Sequence, residues 1–428
     1  MKLYLGFITT MTICCQMAMA GRFNITCYYD TASIKRGGFA NYTETDLKSS
    51  FEYCTHVVYG YVGLKPDSFA IETLLPEQNL IFSQVKKLKQ KNRNITFLVS
   101  LGGGKDLSNR EKYMKLLEAS LQKQSKFIES VKSFVRQYNF DGLDLAYQFP
   151  NHKKHKSTVN KMFDQAKKVL SKHKMAKPLK KHIVNVNVHK KRFTELANKL
   201  KNTLKRDNLM LTLTVLPHVN ASKYLNIRSV MEDFDMVNLG TFDYSTPEYT
   251  PNDADYLAPL NSLYNKQISR HRNSNVEQDV RLWLSQHIQS RKLNIGIATY
   301  GRAWKLPKPL KSNVMPIKSA LDGPASGGEL TRTPGLLSWP EICLKVPKMS
   351  KTMNKNYGNF AFRTPNVKGQ EGFLITYEDR DSLGAKAEFV KRNSLGGIAV
   401  FDLSLDDFRG KCKEGQYPAL KAIKYKLI

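Results

Sequence analysis

Eight short, near-continuous apolar runs recur along this chain between longer amphipathic segments, and that rhythm restricts the fold more than any other feature. The runs fall at residues 25–29, 55–61, 95–101, 142–149, 209–216, 236–242, 293–300 and 397–403. Runs this short and this uniformly apolar suit parallel strands covered on both faces. The intervening segments carry helical spacing, as at 126–138, 193–204, 276–290, 382–392 and 418–427. Eight β–α repeats predict an α/β fold, a closed (β/α)8 TIM barrel. Any site should then lie at the C-terminal ends of its strands.

The fourth run reads Asp141-Gly142-Leu143-Asp144-Leu145-Ala146-Tyr147-Gln148-Phe149-Pro150, opened by a tight Asp-Gly turn and stopped by proline. Side chains alternate along a strand, so Asp144, Ala146 and Gln148 share one face. The stretch resembles the signature of glycoside hydrolase family 18, the chitinases, whose strand carries Asp-x-x-Asp-x-Asp-x-Glu. Asp141 and Asp144 match that pattern. Ala146 stands where the family has its third aspartate, and Gln148 where it has the catalytic glutamate.

The chemistry lost with those two carboxyls follows from first principles. Glycosidic cleavage needs an acid that protonates the leaving oxygen and later recovers its proton. A glutamine amide donates hydrogen bonds but has no proton to transfer near neutral pH. In the family the substrate's acetamido group is the nucleophile, oriented by the third aspartate, a task beyond a methyl group. The vestigial strand Asp141, Asp144, Ala146 and Gln148 therefore implies no catalytic residue and no enzyme activity.

The resemblance spans essentially the whole mature chain. It is carried by 99–103 (Val-Ser-Leu-Gly-Gly), the fourth-strand signature, 238–244 (Asn-Leu-Gly-Thr-Phe-Asp-Tyr), 294–304 (Asn-Ile-Gly-Ile-Ala-Thr-Tyr-Gly-Arg-Ala-Trp) and 396–410, which begins Gly-Gly-Ile-Ala-Val-Phe-Asp-Leu-Ser. The form Asp-Leu-Ala-x-Gln-x-Pro, with 335–343 (Gly-Leu-Leu-Ser-Trp-Pro-Glu-Ile-Cys), is similar to the imaginal disc growth factors, insect chitinase-like proteins. That resemblance implies a secreted growth factor promoting cell proliferation and motility. Its partners would be proteins, an insulin-like peptide or a receptor complex. A chitin- or glycan-binding lectin of the matrix or cuticle is the alternative. The family's sugar platform, a tryptophan, corresponds to Phe401; a further aromatic corresponds to Gly104, and an acetamide-bonding tyrosine to Phe242. Asp243, Tyr300 and Arg302 remain, either as a residual ligand cleft with Phe401 or as an internal polar network.

Residues 1–20 have the form of a signal peptide, with Lys2, an apolar core and the small-x-small site Ala18-Met19-Ala20. No later run approaches the ~20 apolar residues of a membrane span, so secretion to the extracellular space is expected. Cys27, Cys54, Cys343 and Cys412 remain after cleavage and allow three pairings. The resemblance favours Cys27–Cys54 and Cys343–Cys412. Glycosylation sequons stand at Asn24, Asn41, Asn94 and Asn220.

The formal charge is +30, of which the signal removes only Lys2. A balance this basic attracts polyanions, and secretion favours sulfated glycans over nucleic acid. A segment at about 151–192 holds fourteen Lys/Arg against the single acid Asp164. It reads as a solvated loop or as a polyanion-binding platform. A metal site through His152 and His155 lacks a clear third ligand, so neither metal nor cofactor is expected. A second departure from the rhythm, 305–376, begins rich in Pro and Gly and turns strand-like. The resemblance implies a small α+β domain there, forming one wall of the cleft. The expected organisation is thus a barrel from 21–304 and 377–428 with that insertion between the seventh strand and its helix.

Overall fold

The computed structural model describes residues 23–106, 111–150, 185–262, 274–310, 314–354, 356–366 and 369–428. The predicted signal at 1–20 lies outside these residues. So does most of the basic segment, including His152, His155, Lys153, Lys154, Lys156, Lys167, Lys168, Lys180 and Lys181. Fourteen strands are described: β1 (Asn24–Asp30), β2 (His56–Leu64), β3 (Ile71–Thr73), β4 (Thr96–Gly102), β5 (Gly142–Ala146), β6 (Met210–Val215), β7 (Met236–Leu239), β8 (Leu293–Ala298), β9 (Tyr300–Leu306), β10 (Leu336–Ser338), β11 (Ser350–Asn354), β12 (Gly358–Arg363), β13 (Gly372–Tyr377) and β14 (Gly397–Phe401).

Eight of them pair in parallel in the order β1-β14-β8-β7-β6-β5-β4-β2, and β2 closes onto β1. That is the closed (β/α)8 barrel expected from the eight apolar runs. Period-two alternation sorts each strand's side chains. Leu143 and Leu145 of β5 join the large cluster between barrel and helices, as do Leu211 and Leu213 of β6 and Ile295 and Ile297 of β8. Their neighbours Asp144, Thr212, Thr214 and Asn294 are buried on the opposite, inner face. The helices answer with their own stripe. Leu121–Gln137 starts at Ser120, whose side chain accepts from Lys123 N, and buries Phe127, Ile128, Val131 and Val135 at helical spacing.

β5 runs close against β6. A Cβ on Gly142 would stand 2.0 Å from Met210 O, so only glycine fits after Asp141. The strand is shorter than its apolar run: pairing stops at Ala146, while Tyr147 and Gln148 continue the alternation without ladder bonds. β7, β8 and β14 stop short in the same way, at the barrel end where the chain must leave the sheet to shape a cleft.

After β8 the chain enters a second, antiparallel sheet ordered β10-β9-β13-β12-β11. It occupies the stretch assigned from sequence to the insertion, except that β9 begins before it, at Tyr300. Its own core includes Trp304, Leu306, Phe360 and Leu374.

Two disulfides are formed, Cys27–Cys54 and Cys343–Cys412, spanning 27 and 69 residues. These are the pairs the resemblance favoured. Loop-closure entropy assigns each about 3–4.5 kcal/mol, more for the longer loop. Replacing both cysteines of one pair by alanine should therefore lower the unfolding midpoint more for Cys343–Cys412. Equal losses, or a larger loss at Cys27–Cys54, would show that chain entropy does not set their ranking.

Candidate functional site

A cavity of about 850 Å3 opens at the C-terminal ends of the barrel strands. Gln148, Phe242, Asp243, Tyr300, Arg302, Phe401 and Gly104 all line it. Asp144 and Ala146 lie deeper in the barrel, fully buried and outside the lining. Asp141 is not brought to the cavity at all. It precedes β5, accepts from Phe97 N at 2.7 Å and pairs with Lys89 at 2.6 Å.

Asp144 is saturated by hydroxyls. Ser100 and Thr212 donate to it at 2.7 Å, and Thr214 at 2.9 Å. Burial pushes its carboxyl up to about 6, partly offset by those donors. The network continues inward: the Tyr28 and Thr214 hydroxyls stand 2.6 Å apart, Asn238 donates to the Tyr28 hydroxyl, and Asn294 donates to Asn238 Oδ1.

Gln148 is fixed differently. Its Nε2 donates to Gly103 O and to Asp106 O, each at 2.7 Å. Two carbonyl oxygens around one nitrogen define the amide's orientation. Its Oε1 is buried and has no hydrogen-bond partner among the described residues. Gln148 thus ties β5 to the loop after β4, where Gly103 has φ 61° and a Cβ would meet the Tyr61 ring at 2.4 Å. Beneath that loop Lys112 and Asp106 form an ion pair at 2.5 Å, both fully buried, and the Tyr113 hydroxyl donates to the same carboxylate at 2.7 Å.

On the opposite wall Arg302 donates to both oxygens of Asp243, at 2.9 and 2.6 Å, and the Tyr300 hydroxyl donates at 2.8 Å. Burial would raise Asp243, but Arg302 and Tyr300 outweigh it and hold the carboxyl below the usual range. Glu248 stands 3.8 Å from Arg302. These side chains both line the cavity and satisfy one another. Phe401 stacks on Tyr28 with centroids 4.0 Å apart and meets Phe242 at 4.9 Å, so little of its face is open.

A third cluster was not read from the sequence. Asp30, which ends β1, and Asp402, which follows β14, both line the cavity with Arg36 and Lys105. Lys105 stands 3.1 Å and Arg36 4.0 Å from Asp30 Oδ2. Asp402 Oδ1 accepts from Ser404 N at 2.8 Å and from the Ser404 hydroxyl. Burial and then the charge of Asp30 raise Asp402. The available signal was positional: each acid sits where a barrel strand ends.

The sequons differ in their surroundings. Asn94 and Asn220 are exposed, and Asn220 uses only its Oδ1, accepting from Lys223 N and Ser222. The Asn41 amide nitrogen donates to Ile34 O at 2.7 Å. Asn24 is half-buried at the start of β1. Peptide mass mapping of secreted protein is expected to find glycan at Asn94 and Asn220 and none at Asn41; occupancy at Asn41 would contradict it.

With this geometry in place, the chain can be set beside known proteins. Residues 24–406 match the family model for glycosyl hydrolases family 18, and the chain belongs to that family. Relatives within it include chitinase-like proteins and one named as a growth factor. Chitinase-like protein Idgf3 of Drosophila yakuba is 37% identical over 448 residues, covering 100% of this chain and 99% of that one. Imaginal disk growth factor 6 of Drosophila melanogaster is 37% identical over 433 residues, covering 94% and 93%. Among solved structures, catalytic domain 2 of the Ostrinia furnacalis Group II chitinase superposes with a TM-score of 0.78 at 24% identity, covering 95% of this chain and 96% of that chain. Human YKL-39, a pseudo-chitinase with retained chitooligosaccharide binding properties, gives 0.76 at 23%, covering 95% and 99%. Both share the fold. No helix among the described residues is long and apolar enough to cross a membrane, and they contain no group of three or more His, Cys, Asp or Glu placed to hold a metal ion.

Proposed function

We propose that this protein is a secreted, catalytically inactive chitinase-like growth factor that promotes cell proliferation and motility in concert with insulin-like peptides. The observation that carries the inactive part is the fixing of Gln148: both amide hydrogens point at backbone carbonyls, and Ala146 beside it offers only a methyl group. The carboxyl that remains on that face, Asp144, is buried beneath the cavity and held by three hydroxyls. The growth-factor part is supported by the names of the full-length relatives, and extracellular residence by the two disulfides. Purified protein should release no product from chitin oligosaccharides and should stimulate proliferation of responsive cells given insulin-like peptide. Turnover, or an absence of any growth response, rejects the corresponding half. The cavity favours a second reading, a glycan-binding lectin of the matrix, since pockets of several hundred Å3 are the usual size for small ligands.

The basic segment adds a means of concentrating such a factor near cells. In physiological salt its field reaches only ~8 Å, so it acts on surfaces that come close. Retention on heparin, released by rising salt, is expected through Lys153, Lys154, Lys156, Lys167, Lys168, Lys180 and Lys181. Changing the seven to glutamine should lower the eluting salt. An unchanged elution point assigns retention to the remaining basic surface.

A further inference from the structure

The cavity presents hydrogen-bond acceptors where a ligand would sit. Gln148, a lining residue, has spent both amide hydrogens on Gly103 O and Asp106 O, so it offers a ligand no donor, and its Oε1 is buried with no partner among the described residues. Across the lining, Asp402 uses Oδ1 on Ser404, and its other oxygen receives no hydrogen bond from any described residue. The charge of the described lining points the same way. Asp30, Glu111, Asp243, Glu248 and Asp402 outnumber Arg36, Lys105 and Arg302, inside a chain whose formal charge is +30. Salt screens the basic exterior beyond ~8 Å, so this local excess governs a ligand already within the cleft.

An acetamido group finds no support here. Asp144 is saturated by three hydroxyls, Ala146 is a buried methyl, and Phe242 carries no hydroxyl. We infer that the cleft takes a de-N-acetylated amino-sugar oligosaccharide, whose ammonium groups donate to the free carboxylate oxygen of Asp402. A primary ammonium offers three donors and a positive charge, which matches an acceptor-rich lining better than an amide does. Arg36 and Lys105 offset part of the repulsion between Asp402 and Asp30, and a ligand cation would add to that relief. This goes beyond the growth-factor reading and does not depend on it, because it concerns equilibrium binding alone.

Calorimetric titration with a glucosamine tetrasaccharide, its fully N-acetylated counterpart and tetralysine, at slightly acidic pH, tests it. The free-amine sugar is expected to bind about 10-fold or more tightly than the N-acetylated one, the weight of a charge-assisted bond. Asp402→Asn should bring the two sugars together in a protein that still unfolds cooperatively. Equal or tighter binding of the N-acetylated sugar overturns the inference, as does no binding by any ligand. Tetralysine matching the amino sugar does so too, because it would make the cleft a cationic-peptide site. If Asp402→Asn fails to fold, the ranking of the three ligands on the unaltered protein decides alone. None of these outcomes bears on the cell-proliferation assay, so the two readings fail separately.

Discussion

Gln148→Glu is expected to restore no chitin hydrolysis and to cost about 2–4 kcal/mol of stability at neutral pH. Restoring the family's acid would replace the Nε2 that donates to Gly103 O and Asp106 O by a carboxylate oxygen. Three acceptors would then meet at about hydrogen-bond distance with no proton among them. The variant relieves this by holding its carboxyl protonated, so its folded pKa rises above the unfolded value of about 4.3. Its folded state thus binds more protons than its unfolded state, and stability falls as pH rises through the interval between the two values. The loss relative to the parent should be smallest below about pH 4 and fullest above the raised pKa. Urea unfolding at acidic and neutral pH measures it, beside a chitin oligosaccharide turnover assay. Ala146→Asp combined with Gln148→Glu is the fairer test of activity, since it also returns the group that orients the acetamide. A single variant that turns over, or is as stable as the parent at neutral pH, would sink the account of Gln148 as a tie between β5 and the loop after β4.

That tie shows where sequence stopped being informative. The barrel was legible because its strands are buried on both faces, and the face toward the helices is apolar throughout. Leu143, Leu145, Leu211 and Ile295 announce themselves. So did the shared face of Asp144, Ala146 and Gln148, because period two holds regardless of tertiary context. Asp141 and Asp144 are bonded within the fold, one to Lys89 and Phe97 N, the other to three hydroxyls. The orientation of the Gln148 amide was not legible. It depends on carbonyls of Gly103 and Asp106, which β4 delivers from more than forty positions away, as the separations of 45 and 42 residues record. Asp30 and Asp402 were missed for the same reason: they meet only because β1 and β14 are neighbours in the closed barrel. Strand ends were overrun at β5 and β7, since apolarity persists into Phe149 and Phe242 although ladder bonding has ceased.

A second large effect is expected at the junction between the two sheets. Glu378 directly follows β13, and Lys386 lies on the helix Arg380–Arg392 that covers the barrel; they form an ion pair, each side chain 1% exposed. Burial raises the Glu378 carboxyl, against the pull of Lys386, and burial lowers the Lys386 amine. One carboxylate oxygen of Glu378 has no hydrogen-bond partner among the described residues. Lys386→Met leaves that charge buried and uncompensated, which typically costs about 3–5 kcal/mol. The sign with pH follows as before. Glu378 in the variant has a folded pKa raised still further, so the loss is least where the carboxyl is protonated in both states and grows as pH rises. Adding Glu378→Gln removes the charge and should recover most of the stability and flatten its pH dependence. The consequence reaches the cleft. β13 is hydrogen-bonded along β9, and β9 carries Arg302, while β10 beside it carries Leu336, both in the cavity wall. Loosening the anchor of β13 should therefore weaken ligand binding in Lys386→Met and restore it in the double variant. A single variant as stable as the parent at neutral pH, or a double variant no better than the single, would show that the pair's charges are not what holds the wall in place.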